Sequence, residues 1–466
     1  MTEIETILRQ SLPAASFRPP EPRYLEEPRG RYAGQAVAVL APASTEEVAM
    51  IVKACAQTAT PVVPYGGGTG LVGGQIAGEG TRPVVLSLER MRQIRKLDPV
   101  GATMTVEAGA ILADIHSAAA GEGLIFPLTL ASQGSARIGG LLSTNAGGVN
   151  VIRYGNARDL CLGLEAVFPD GTVMHGLSSL RKNNTGYDLR HLLIGAEGTL
   201  GVITAATLRL FPEPAATGAA LMVVPDPDAA LALLRRVQAR AGGGLSAFEL
   251  IGGMGLTFLD EVGPDLKQPF AGRPDWMCLI DLGLAQGQDP SELLEAVFAE
   301  AHEAGLVSDG VIARSEGQRQ AFWNLRESIP EANRRIGSIS SHDISVPVAA
   351  IPAFIAEAPG RLAKIGDYRI NCFGHLGDGN LHYNVFPQPG ESRADHEEAR
   401  GPIKACVHDL VHEMGGSVSA EHGIGRLKVD DLERYGDPAK LAAMRAIKSA
   451  LDPAGIMNPG AVLRAP

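Results

Sequence analysis

Short apolar blocks set off by Gly and Pro dominate the first half of the chain, which is the pattern of buried strands rather than long helices. After a Pro-rich lead (Pro19, Pro20, Pro22, Pro28), the run Ala36 to Leu40 predicts a strand. Ser44 followed by Glu47 has the spacing of a capping box and predicts a helix through Ala59. Strands are expected at Pro61 to Tyr65, Val84 to Leu88, Thr103 to Glu107, Leu164 to Phe168 and Val202 to Phe211, with a hairpin turn at Asp170-Gly171. Pro212-Glu213-Pro214 reads as a boundary. Beyond it the pattern becomes strand (Ala219 to Val224), helix (Asp228 to Arg240) and strand (Ala247 to Ile251). A strand (Trp276 to Leu282), a helix (Ser291 to Ala304) and a strand (Val307 to Ala313) follow. That β-α-β-β-α-β order is the order of a ferredoxin-like module.

Composition narrows the class. A chain of 466 residues with 45% hydrophobic and 20% charged residues has matter for more than one core, which excludes disorder and fibrous folds. The balance of 41 basic against 52 acidic residues, −11 in all, argues against a general affinity for nucleic acid. Five widely spaced cysteines form no CxxC pair, so a disulfide framework or thiolate zinc site is not expected. The first residues, MTEIETILRQSLPAAS, carry acids where a signal peptide needs bases, and no run of 18 apolar residues occurs. A cytoplasmic protein without a membrane span is the expectation.

Glycine is in excess, 56 residues, and its placement carries the chemistry. Gly68-x-Gly70-x-x-Gly73 follows a strand and matches the dinucleotide fingerprint, but the continuation LVGGQIAGEGTRP is poor helix sequence. A P-loop is excluded because no Gly-Lys-Ser/Thr follows. A backbone nest around a diphosphate is the better reading, with the Rossmann loop and a ligand-free turn as alternatives. Ser132 to Gly148 is a second glycine-rich segment, and Lys182 to Asp188 with Ile194 to Val202 forms a third. Such separated segments suit a large cofactor lying between them.

The stretches PYGGGTGLVGGQ (64–75), GGLLSTNAGG (139–148), NNTGYDL (183–189) and GAEGTLGVIT (195–204) resemble the FAD-binding domain of the PCMH-type, vanillyl-alcohol-oxidase family flavoproteins. GHLGDGNLH (374–382) and EHGIG (421–425) resemble its metal-dependent D-2-hydroxyacid dehydrogenase branch. That branch includes D-2-hydroxyglutarate dehydrogenases, D-lactate dehydrogenases and the glycolate oxidase flavin subunit. The resemblance implies an α+β fold: a PCMH-type FAD-binding domain at 36–213, after a lead at 1–35, then a substrate and metal domain at 214–466. That second domain is ferredoxin-like and ends in a C-terminal helical segment, whose last ~25 residues return to the FAD domain. It implies FAD contacts from Gly66, Gly67, Gly68, Thr69, Gly70, Leu71, Ser132, Ser135, Gly139, Gly140, Thr144, Asn145, Gly147, Gly148, Glu197, Gly198, Ile203 and Asn458. No His lies between Pro61 and Val84, so the FAD is expected to be non-covalent.

Around Gly374 to Asn380, the runs Arg369 to Phe373 and Leu381 to Phe386 predict a hairpin. A two-residue Asp378-Gly379 turn would set His375 directly opposite His382, near enough to share a metal ion, with Asn384 on the same face. The plain alternative is two histidines flanking an exposed turn. The resemblance implies a divalent metal on His375, His382 and Glu421, zinc first, with manganese, iron or cobalt as substitutes. It makes His422 the base, Arg326 the substrate-carboxylate partner and Asn384 a further substrate contact. Gly423 and Gly425 would let the backbone bend so that Glu421 and His422 serve one site. Arg326 has a plain alternative too, a helix-surface ion pair with Glu327. His396, His408 and His412 are expected on a helix surface.

The implied reaction carries a hydride from C2 of a small D-2-hydroxy acid to flavin N5 and the hydroxyl proton to His422. Electrons then pass to a separate acceptor: an electron-transfer flavoprotein, a quinone or a cytochrome. A homodimer is among the expected assemblies. Ser341 and Pro330 stand where hydroxyglutarate enzymes carry a lysine and a threonine, which leaves D-2-hydroxyglutarate only slightly ahead of D-lactate. A flavin-binding subunit without catalysis is the reading of another class.

Overall fold

Two units emerge from the chain: Met1–Gly148, Gly155–Glu213 and Glu421–Pro466 form one, Val149–Tyr154 with Pro214–Ala420 the other. They are seen in a computed structural model that describes residues 2–27, 30, 33–264 and 266–465. The fold draws the boundaries differently from the sequence pattern. Residues ahead of 36 contribute a helix, Glu3–Ser11, and a strand, Phe17–Arg18, that pairs with Ala38–Leu40. Pro28 of the Pro-rich lead lies outside the described residues. The chain from Glu421 onward, with helices Val429–Tyr435 and Pro438–Leu451, belongs to the first unit.

In the first unit, Val84–Ser87 runs parallel to both Ala38–Leu40 and Val62–Tyr65. The helix Thr45–Gln57 starts where Ser44 Oγ accepts the Glu47 N–H, at 3.3 Å. The expected box is only half made, because the Glu47 carboxylate accepts from Ala43 N–H instead. No helix or strand occupies 66–83, so the glycine loop does not open a helix and the Rossmann reading fails on structure. A five-stranded antiparallel sheet follows, in the order Ile94–Asp98, Thr103–Glu107, Val202–Arg209, Cys161–Val167, Val173–Gly176. Its last hairpin turns at Asp170-Gly171, with Gly171 at φ 84° and Phe168 N–H bonded to Thr172 O.

The second unit is built on a seven-stranded antiparallel sheet in the order Asp309–Ile312, Ala216–Val224, Trp276–Leu284, Leu245–Gly252, Arg369–His375, Asn380–Phe386, Ser340–Ser345. The first four strands, with helices Pro227–Ala241 and Pro290–Glu303, make the ferredoxin-like module in spatial order 4-1-3-2. The helix Gly253–Val262 is inserted within it, and three further strands extend its edge. The 21-residue helix Glu316–Ile336 packs on one sheet face, burying Phe322, Trp323, Leu325 and Ile329 against Ala219, Leu221, Ile251 and Phe373.

Candidate active site

In the first unit the two glycine-rich segments meet backbone to backbone. A Cβ on Gly67 would fall 2.2 Å from the Ser135 carbonyl oxygen, and one on Gly66 would fall 3.3 Å from Gly140 Cα. Side chains are excluded there by contact, which is why both strips are glycine. Between them lies a cleft with about 870 Å³ of empty space, open solvent at its mouth included. Gly66 to Gly70, Gly139, Gly140, Thr144, Glu197, Gly198 and Ile203 line it, and so does His422.

His422 reaches the cleft on a turn that the unit builds from distant pieces. Gly423 and Gly425 take φ of 81° and 49°, the left-handed bend expected of them. The buried Glu197 carboxylate accepts the N–H groups of Ile424 (2.7 Å) and Gly425 (2.8 Å). Burial pushes that carboxyl up to about 7, against the downward pull of these two N–H groups. Asn458 donates to the carbonyls of Gly74 and Glu197, and its oxygen accepts from Arg426. Arg426 in turn holds the carbonyls of Ile76 and Pro459.

In the second unit, His375 and His382 stand on one sheet face with ring centroids 5.6 Å apart. The expected register is two positions out. Phe373, not His375, lies opposite His382, because a four-residue loop (376–379) joins the strands. Side chains alternate with period two, so this slip leaves His375 on the same face as a diagonal neighbour. A ring nitrogen of each lies within 4.8 Å of one on the other. Each imidazole has a carboxylate beside it. Glu249 Oε1 lies 2.5 Å from His375 Nδ1, and Asp343 Oδ1 lies 3.9 Å from His382 Nδ1.

Two family models match: "FAD binding domain" over residues 36–176, and "FAD linked oxidases, C-terminal domain" over 213–462. The chain belongs to the FAD-linked oxidase family. Among its relatives is the D-2-hydroxyglutarate dehydrogenase of Xanthomonas citri pv. viticola, 38% identical over 97% of this chain and 95% of that one. The mitochondrial D-2-hydroxyglutarate dehydrogenase of Arabidopsis thaliana is 37% identical over 93% of this chain and 76% of its own. A D-2-hydroxyglutarate–pyruvate transhydrogenase of Saccharomyces cerevisiae is 33% identical, over 92% and 87%. The fold is that of p-cresol methylhydroxylase (TM-score 0.78, 18% identity, 99% of this chain and 96% of that one). Alkyldihydroxyacetonephosphate synthase shares it (TM-score 0.74, 17% identity, 98% and 84%).

The cleft of this FAD-linked oxidase fits a dinucleotide. Its glycine strips leave room that any Cβ would fill, and the left-handed Gly68 and Gly73 turn the loop as an anion nest requires. Of the expected FAD contacts, Leu71, Ser132, Ser135, Asn145, Gly147, Gly148 and Asn458 do not line the cleft. The Lys182–Asp188 segment is exposed and does not line it either. Tyr65, Gln75, Arg137, Ser143 and Val202, unforeseen in the sequence, do.

The histidine pair fits a divalent ion. Two imidazoles, each with a carboxylate at its Nδ1 side, are the usual donor set with its outer support. Arg326 is buried and does not pair with Glu327. It donates from Nε (2.8 Å) and Nη2 (2.7 Å) to Glu249 Oε2 and lies 4.6 Å above the Phe373 ring. Asn384 is on the His382 face, as expected, opposite Ser341 and Asn371. Of the helix histidines, His412 is exposed and His396 holds Glu391, but His408 is 2% exposed. Its Nε2 lies 3.2 Å from His342 Nδ1, so it is a core residue, not a surface one.

Glu249 is the residue that sequence reasoning missed. Its one signal was a carboxylate inside the apolar strand Leu245–Gly252, every residue of which is buried. Burial raises its pKa, but His375 and Arg326 pull the other way and hold it at about 2.

Proposed function

We propose that this enzyme oxidises a D-2-hydroxy acid, D-2-hydroxyglutarate first among them, to the 2-oxo acid with FAD held non-covalently in the glycine-lined cleft. The observation that carries the reading is His422 in the wall of that cleft. It puts a proton acceptor in the wall of the cofactor space that the glycine strips leave open. Relatives at 37–38% identity that bear the hydroxyglutarate dehydrogenase name support the substrate class.

Each side chain has a role in this reading. His422 takes the hydroxyl proton. Arg326 holds the substrate carboxylate, since its Nε edge is committed to Glu249 and Nη1 makes no hydrogen bond among the described residues. Asn384 adds a hydrogen bond to the substrate. His375 and His382, with Glu421, hold a divalent ion, zinc first. Ala420 N–H bonds to Asp343 O, opposite His382, and Glu421 is the next residue in the chain. When bound, FAD supplies the two-electron acceptor and the ion supplies Lewis acidity.

No helix among the described residues is long and apolar enough to cross a membrane. A cytoplasmic location belongs to this reading, as does a separate electron acceptor: an electron-transfer flavoprotein, a quinone or a cytochrome. The yeast relative's name adds a 2-oxo acid to that range.

A second reading, a D-lactate or glycolate enzyme, is favoured by one observation. Ser341 brings no charge opposite Asn384, and both Arg334 and Arg335 are taken up by Glu331. Anaerobic mixing with a panel of D- and L-2-hydroxy acids decides between them. The expected result is flavin bleaching by D-2-hydroxyglutarate and none by its L isomer. Bleaching by D-lactate or glycolate alone selects the second reading, and no bleaching by any D acid or by glycolate refutes both.

A further inference from the structure

Glu249 sits at the centre of the second unit's sheet, opposite His375 in register and fully buried. One carboxylate oxygen meets His375 Nδ1 and the other receives Nε and Nη2 of Arg326. The two partners come from elements 126 and 77 residues away. The same helix face repeats the arrangement at its ends. Arg319 and Trp323 donate to the buried Asp281, and Asn333 accepts from Asn371. A buried ion pair is weak evidence of added stability, because well-packed apolar groups of the same size serve as well or better. A buried Arg326–Glu249 ion pair that also holds a histidine therefore calls for a reason other than stability.

Resting on the reading above, we infer that Glu249 is a positioning residue that sets His375 and Arg326 together. Its oxygen fixes the Nδ1–H tautomer of His375, which directs the Nε2 lone pair outward as a metal donor and makes it more basic. Its other oxygen grips one edge of the guanidinium, so the remaining Nη1 side has one orientation in which to receive a substrate carboxylate. Metal donor and carboxylate receptor thus share a single anchor within one unit. Substrate that spans the two would feel any shift of that anchor at both ends.

The test is Glu249→Gln in flavin-loaded protein stripped of divalent metal, titrated with zinc against a chelating dye. Zinc affinity should fall by about 10–100-fold, the usual cost of losing a support behind a ligand histidine. At saturating zinc the KM for the hydroxy acid should rise several-fold while kcat changes less. Arg326→Gln should leave zinc affinity within about 3-fold and raise KM alone. If Arg326→Gln leaves KM unchanged, the substrate-arginine reading fails, while the zinc arm still decides whether Glu249 supports His375. Wild-type zinc affinity and wild-type KM in Glu249→Gln would overturn the proposal. Should that variant not fold, Glu249→Asp replaces it: weakened zinc binding with full flavin occupancy supports the role, and unchanged zinc affinity refutes it.

Discussion

Asn458 and Glu197, 261 residues apart, are joined by an amide-to-carbonyl bond of 2.9 Å in the buried floor behind the glycine cleft. The same amide nitrogen bonds Gly74 O, so one side chain ties the C-terminal segment to two walls of the cofactor space. Asn458→Ala leaves both carbonyls and an Arg426 donor without this partner. A loss of about 1–3 kcal/mol in stability is expected, with less FAD per chain after gel filtration. Thermal denaturation and flavin absorbance measure the two effects.

Gly67→Ala should give colourless or weakly coloured protein, because the new methyl would collide with the Ser135 carbonyl. Gly134→Ala, where nothing lies within 4 Å, is the matched control and should remain yellow. Acid precipitation of the wild type should release the flavin into the supernatant. Colour retained in the pellet would show a covalent link.

The Glu197 carboxyl gives a pH signature in the flavin-free protein. Its folded-state pKa is raised from 4.5 to about 7, so between those values the folded protein keeps a proton that the unfolded chain has released. Its contribution to stability is therefore greatest below pH 4.5 and declines as pH rises toward 7. Glu197→Gln should flatten that part of the denaturation profile. An unchanged slope would place the titrating group elsewhere.

His382→Ala should remove most bound zinc and turnover and leave the flavin spectrum intact, since the glycine cleft lies in the other unit. Metal analysis beside absorbance checks this. Full turnover of His382→Ala in the presence of a chelator would exclude a catalytic metal.

Ser341 is exposed, its hydroxyl bonded to Ser338, and it stands opposite Asn384. Ser341→Lys should raise kcat/KM for D-2-hydroxyglutarate over D-lactate by about 10-fold, if a charged hydrogen bond of about 1.5–3 kcal/mol is gained. Competition between the two acids in one assay measures the ratio. An unchanged ratio would mark Ser341 as a bystander.

Local sequence determined what depends on a few neighbouring residues. Glycine strips announce close backbone approach, and the run of glycines and a proline after Gly73 forbids a helix. Strand alternation alone put His375 and His382 on one face, and that survived a register error of two because the period is two. Tertiary structure decided everything that rests on partners far along the chain. No local pattern could show that His408 would pair with His342, or that the return to the first unit would begin as early as Glu421, ahead of the last ~25 residues expected there. Glu249 marks the division most sharply. From the sequence it is one acid in an apolar strand, and only the packing of the Glu316–Ile336 helix and the His375 strand against it gives it two partners and keeps it charged. A buried charge takes its meaning from the groups that neutralise it, and those are set by the fold.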